Sequence, residues 1–327
     1  MSWKRETVRF RHFYVSYPAE HIIQVTINRP DKLNCIDKAT SREIAQVWEE
    51  LDRDETLWVG IITGAGRAFC TGADLHGEYF RAALRTLPWY LVTPVGGGGG
   101  EGMRGCAQDE LDSPFPLVGP VSDAEAEWND MNKAGVVNDM AAPGLAGLPR
   151  RDGKKPIIAA VNGICMGGGF EMVANCDVVV AASSAVFSLP EVKRGIVPVA
   201  GCLPRLTRTL GLQRTMDLVL TGRTVDAKTL YEWGLVTQVV DAAGGDGDKV
   251  VVRAALEVAQ AMCRNSPDAL IVGRRGVRMV WEEGSVEKAV SALEREWYPR
   301  LVQGANFHEG IQAFVEKRSP KWRDSKL

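Results

Sequence analysis

Few folds accommodate the stretch Pro156-Ile-Ile-Ala-Ala-Val-Asn-Gly-Ile-Cys-Met-Gly-Gly-Gly-Phe-Glu171. Its first six residues are apolar without alternation, the pattern of a short strand covered on both faces. The glycines that follow end the strand and predict a helix starting near Gly168. Unpaired N–H groups at a helix start can donate to an oxygen that turns negative, and glycine lets a ligand approach the backbone closely. A nucleotide-binding turn would need G-x-G-x-x-G spacing or a Walker lysine, and the stretch has neither. Plain helix-to-strand packing would use the same glycines. The stretch therefore reads as strand, turn and helix, and taken alone it leaves its chemistry open.

The rest of the chain extends that reading. From His21 to Asn28, Ile23, Val25 and Ile27 alternate with Gln24, Thr26 and Asn28, as in a half-buried strand. Thr40 with Glu43 forms a capping box for a helix over about 41–52, whose apolar face is Ile44, Val47, Trp48 and Leu51. Trp58–Thr63 reads as a second strand, and Asp177–Ala181 and Ala185–Leu189 as two more. Helices dominate after about Gly201, with apolar stripes at Val252, Ala255, Leu256, Ala259 and Cys263 and at Val286, Ala289, Val290, Leu293 and Trp297. Mixed strands and helices followed by helices alone predict an α/β core with a helical C-terminal segment.

Between Asp74 and Pro156 no periodicity is sustained, and Gly96 to Gly100 are five consecutive glycines. Connections this long are uncommon in compact domains, so an insert at about 77–127 is a lid, a flexible segment or the product of a retained intron. The last reading is codon-compatible: Gly77-Glu78-Tyr79 can encode a donor-like string and Ala126-Glu127 an acceptor-like one.

A formal net charge of −2, from 39 Lys+Arg against 41 Asp+Glu, argues against nucleic acid or an anionic membrane as the main partner. No run of about 18 apolar residues is available to span a bilayer. The 7 cysteines are scattered without a C-x-x-C pair, which fits a reducing compartment. His12, His21, His76 and His308 share no ligand spacing, so no metal is expected. Ser325-Lys326-Leu327 matches the tripeptide read by the peroxisomal import receptor, expected on an exposed basic tail and placing the protein in the peroxisomal matrix.

Three stretches together, Arg67-Ala-Phe-Cys-Thr-Gly-Ala-Asp74, Val161 to Glu171, and Ser188-Leu-Pro-Glu191-Val-Lys-Arg-Gly195, resemble the enoyl-CoA hydratase/isomerase (crotonase) superfamily. The resemblance runs from about Phe13 to Arg323 apart from the insert. It includes Asn28-Arg-Pro-Asp-Lys-Leu-Asn34 and Glu309-Gly-Ile-Gln-Ala-Phe-Val-Glu-Lys-Arg318. It implies a spiral of ββα units over 1–250 and a helical oligomerisation segment over 251–327 that builds trimers or hexamers.

The resemblance also implies roles. Backbone N–H groups of Ala73 and Gly168 would clamp the thioester oxygen; Glu171 would activate water, and Glu191 would handle the C2 proton. Substrate and CoA contacts are implied at Lys32, Leu33, Arg67, Ala68, Gly72, Asp74, Leu75, Gly167 and Val199. Lys32 and Arg67 are read equally well as solvated charges, and Asp74 as the anchor of its own loop. Asp177 reads as a structural hydrogen bonder. No cofactor is implied, because coenzyme A arrives as part of the substrate.

Retention of both carboxylates favours syn hydration of a trans-2-enoyl-CoA, or the reverse, in peroxisomal fatty-acid β-oxidation. The alternatives are a Δ3-Δ2 enoyl-CoA isomerase and a catalytically weak acyl-CoA binder. One departure bears on substrate choice: Val199 and Cys202 stand where hydratases usually carry glycine.

Overall fold

Three antiparallel strands, β1 (Val8–Arg9), β2 (Phe13–Ala19) and β3 (Ile22–Ile27), open the chain and lead through a 3-10 turn at Pro30–Lys32 into helix α1 (Lys38–Arg53). The computed structural model describes residues 5–74, 144–242 and 247–327. Its described residues 5–73, 144–242 and 247–327 belong to one compact unit. The insert expected at 77–127, and Leu75 with it, lie outside the described residues.

After α1 the chain spirals, with β4 (Val59–Gly64), β6 (Ile157–Val161) and β8 (Val178–Ala182) alternating with β5 (Ala68–Cys70), β7 (Ile164–Met166) and β9 (Val186–Ser188). The first of each pair joins a sheet ordered β1-β2-β3-β4-β6-β8-β11, parallel from β3 onward, where β11 is Gln238–Val240. The second joins a smaller sheet ordered β10-β9-β7-β5, where β10 is Thr224–Asp226. Helix α2 (Gly168–Val173) follows β7. After β9 come α3 (Cys202–Leu210), α4 (Leu212–Thr221), α5 (Ala227–Glu232), α6 (Gly247–Cys263), α7 (Pro267–Glu283), α8 (Val286–Ala292), α9 (Tyr298–Gln303) and α10 (Ala305–Val315).

Strand β6 shows why the expected apolar run is covered twice. Ile157, Ala159 and Val161 enter the core that also holds Trp48, Phe170 and Phe187. Ile158 and Ala160 face the other way, onto Val251, Ala254, Ala255 and Ala259 of α6. Each fully buried isoleucine contributes about 1.5–3 kcal/mol. Because α6 covers this face, a boundary drawn at residue 250 cuts through a helix that belongs to the core.

Three local expectations are corrected. Strand β3 is buried on both faces, because Ile23, Val25 and Ile27 enter the core with Trp48 while Ile22 on the other face joins the cluster that holds Val251 and Ala255; Gln24 and Thr26, on that second face, are accommodated by bonding each other at 3.0 Å. Helix α1 is capped by Asp37, whose side chain accepts from the Thr40 N–H at 2.8 Å, so its cap lies three residues before the expected Thr40.

The C-terminal residues are not a free tail. Ser325 is 3% exposed and donates to Asp268, and Lys326 pairs with Glu55. Lys154 Nζ donates to the Leu327 carbonyl at 2.8 Å, and Trp58 Nε1 to Asp324 at 3.2 Å. Specific partners, not basic composition, decide the exposure of this segment.

Asp177 is the structural hydrogen bonder expected of it. It accepts from the Ile157 N–H at 2.9 Å and from Arg274 and Arg278 at 2.9 and 3.0 Å, fastening α7 to the sheet. Breaking a mostly buried charge cluster leaves guanidinium groups unpaired. Asp177→Ala is expected to lose about 3 kcal/mol of stability in thermal or urea denaturation.

Candidate active site

Parallel pairing of β7 with β9 sets Met166 opposite Ser188, so the chain leaves both strands at the same sheet end. From β7 it enters the glycine turn, and from β9 the 3-10 turn Pro190–Arg194 that carries Glu191. The Gly167 N–H donates to the Ser188 carbonyl at 3.0 Å, tying the two turns together. A Cβ on Gly167, whose φ is +55°, would stand 3.2 Å from Glu191 Oε1.

Glu171 sits in the first turn of α2 and Glu191 in its 3-10 turn, 7% and 9% exposed. Glu171 Oε1 accepts from the Ala200 N–H at 2.9 Å. Burial raises its pKa; the Ala200 N–H and then the thiol and N–H of Cys202 oppose the rise. Glu191 is pushed up to about 7, first by burial and then by the neighbouring charge of Glu171, against its own backbone N–H. Among the described residues nothing bonds Glu191 Oε2. The pair therefore holds a proton near neutrality, with one free carboxyl oxygen to move it.

Beside the pair lie the two backbone segments expected to hold an oxygen. Gly168 opens α2, so its N–H has no acceptor within the helix. Gly72 (φ +97°) is so close that a Cβ there would lie 3.0 Å from Gly168 N. Ala73 follows, bridged to Ile36, while the Ile36 N–H donates to the Gly72 carbonyl at 2.9 Å. The Thr71 hydroxyl donates to the Leu33 carbonyl at 3.2 Å, so the Lys32–Ile36 segment braces the donor loop from one side.

Asn34 and Asn162, neither singled out by the sequence, lock the same region. Asn34 donates to the carbonyls of Ala65 and Ala68, and Asn162 to those of Gly66 and Ala68. Ala68 itself is buried. Lys32 and Arg67 are exposed, and Asp74, half-buried, is the last described residue before the insert. Val199 is 67% exposed, next to the Ala200 N–H that holds Glu171. Ala200 and Leu145, whose side chain packs on Gly168, also carry no signal in the sequence, because both act through long-range contact.

A proton-sharing carboxylate pair beside fixed backbone donors defines a site for proton transfer next to a held carbonyl oxygen, as in CoA-thioester hydratases and isomerases. The chain belongs to the enoyl-CoA hydratase/isomerase family, whose sequence model matches residues 18–91 and 147–325. It is 47% identical to the mevalonyl-coenzyme A hydratase sidH of Aspergillus fumigatus, covering 96% of this chain and 95% of that protein. It is 31% identical to the carnitinyl-CoA dehydratase of Proteus mirabilis, over 92% of this chain and 95% of that one. Among solved structures, the enoyl-CoA hydratase of Bacillus anthracis superimposes with a TM-score of 0.71 at 26% identity, over 96% of this chain and all of that one.

The raised carboxyl pKa values fix the sign of a pH dependence. Water addition draws a proton to one carboxylate and gives one from the other, so the pair must carry one proton. That proton is lost as pH rises through about 7, where Glu191 titrates. We expect kcat/KM for a reaction that uses this shared proton to fall about tenfold per pH unit above that point, in the forward and reverse directions alike, which steady-state rates in both directions will check.

Proposed function

We propose that the protein catalyses reversible addition of water across the C2–C3 bond of a 2-enoyl-CoA, with short, C3-branched acyl groups of the mevalonyl type as its substrate class. The observation that carries the reaction is the buried Glu171–Glu191 pair, raised to share a proton beside the Gly168 N–H. The thioester oxygen is held by the N–H groups of Ala73 and Gly168, which stabilise the enolate-like charge that develops on it. In hydration Glu171 draws a proton from water as it adds to C3, and Glu191 delivers its proton to C2 on the same face. In dehydration Glu191 removes the C2 proton and Glu171 protonates the departing C3 hydroxyl.

The substrate class rests on the 47% identity to a mevalonyl-CoA hydratase rather than on any contact to an acyl group. A mevalonyl thioester carries a methyl and a tertiary hydroxyl at C3, so its dehydration uses the same two proton transfers. Exposed apolar side chains on α4 and α10, Leu220 at 69% and Phe314 at 85%, support self-association as a trimer or hexamer, measurable by light scattering.

The test offers purified protein mevalonyl-CoA, crotonyl-CoA and a 3-enoyl-CoA and follows the conjugated thioester absorbance with product mass. Loss of one water from mevalonyl-CoA supports the whole reading. Turnover of crotonyl-CoA alone leaves a hydratase and overturns the branched substrate. Conversion of a 3-enoyl-CoA to its 2-enoyl isomer without hydration would make the protein an isomerase.

A further inference from the structure

The short turn Leu145–Gly147 is held in a conformation its residues do not favour. Ala146 has φ +53°, in the left-handed region, and is fully buried. Non-glycine residues keep such a conformation only where their surroundings over-determine it. Here α1 supplies the restraint: the Ala146 N–H donates to Ser41 Oγ at 2.8 Å, and Trp48 Nε1 donates to the Ala146 carbonyl at 3.1 Å. Farther along, Asn175 Nδ2 donates to the Leu148 carbonyl at 2.7 Å. The turn therefore lies along α2 from Gly168 to the residues just past its end, beside the helix that carries Glu171.

What this clamp fixes is the half-buried side chain of Leu145. Its Cδ2 lies 2.8 Å and its Cβ 3.7 Å from the place a Cβ on Gly168 would take. Leu145 thus occupies the space over the Gly168 backbone that a side chain at 168 would claim. An acyl group with its oxygen on the Gly168 N–H would start at the residue against which Leu145 is packed.

We propose that Leu145 is a specificity-determining residue, the wall that limits the bulk an acyl group carries at C3. The inference rests on the thioester oxygen being held at Gly168, as in the function proposed above. The wall is steric, so it discriminates between acyl groups rather than accelerating all of them. A hydrophobic wall of this kind changes discrimination by about tenfold or more per methylene removed or added.

The test compares kcat/KM for crotonyl-CoA with that for cinnamoyl-CoA, which bears a phenyl group at C3. Leu145→Ala is expected to raise the cinnamoyl-to-crotonyl ratio by about tenfold or more, and Leu145→Phe to lower it. A ratio that stays within about twofold of wild type in both variants, even if both rates drop together, overturns the proposal. Should the wild type turn over neither ester, the proposed reaction fails on its own account. The ratio of dissociation constants for 3-phenylpropanoyl-CoA and butanoyl-CoA then decides the wall, since its shift in Leu145→Ala supports the proposal and its constancy overturns it.

Discussion

Glu191→Gln is expected to lower kcat for hydration by about 10³-fold while leaving the affinity for a saturated acyl-CoA within a few-fold of wild type. The amide keeps the shape of the carboxyl and loses only the proton that goes to C2. Glu171→Gln is expected to do comparable damage by removing the acceptor for the proton of water. The two carboxyls act as one unit, so the double variant should cost little more than either single change.

The same substitution has a second readout with the opposite sign. Glu191 is raised in the fold to about 7 from 4.5, so the native state holds its proton more tightly than the unfolded chain does. Its contribution to stability is therefore full below the unfolded value and is lost as pH rises through about 7. Glutamine cannot ionise and escapes that loss. Above pH 7 the variant should be more stable than wild type by up to about 3 kcal/mol, seen in denaturation at pH 8 but not at pH 4. A variant both inactive and less stable at pH 8 would point to damage rather than to a lost proton donor.

What the sequence reveals and what it hides divide along the distance over which a residue acts. The apolar run at Ile157–Val161 and the glycines at Gly167–Gly169 announce a buried strand, a turn and a helix, because neighbours in the chain dictate them. Glu171 is thereby placed one turn into that helix, but its role is implied only by the family resemblance. Glu191 is reached only through family resemblance, since the parallel pairing of Met166 with Ser188 that brings it to Gly167 leaves no local trace. The Ala200 N–H on Glu171 and the Leu145 side chain on Gly168 are less visible still, one a backbone group and the other a common leucine. The capping of α1 misleads for a related reason: Thr40 and Asp37 both suit a helix start, and the backbone, not composition, chooses Asp37. The terminal residues mislead because their lysine and arginine suggest solvent while Asp268 and Glu55, far away in sequence, bind them.

Gly72→Ala is expected to reduce kcat/KM by about 10² to 10³, the cost of losing one backbone donor to an oxyanion. The new Cβ would lie 3.0 Å from Gly168 N, on the amide that is to meet the thioester oxygen. Backbone strain alone would also do harm, because Gly72 has φ +97° and alanine tolerates that region poorly. Gly234 separates the two effects. It has φ +91° with nothing within 4 Å of a built Cβ, so Gly234→Ala carries the strain without blocking an amide. Both variants should melt earlier than wild type by similar amounts, of order 1–2 kcal/mol, and only Gly72→Ala should lose the reaction. If instead the two retain activity to the same degree at matched stability, the Gly168 N–H is not a donor to the reacting oxygen, and Glu171 and Glu191 must do their work without it.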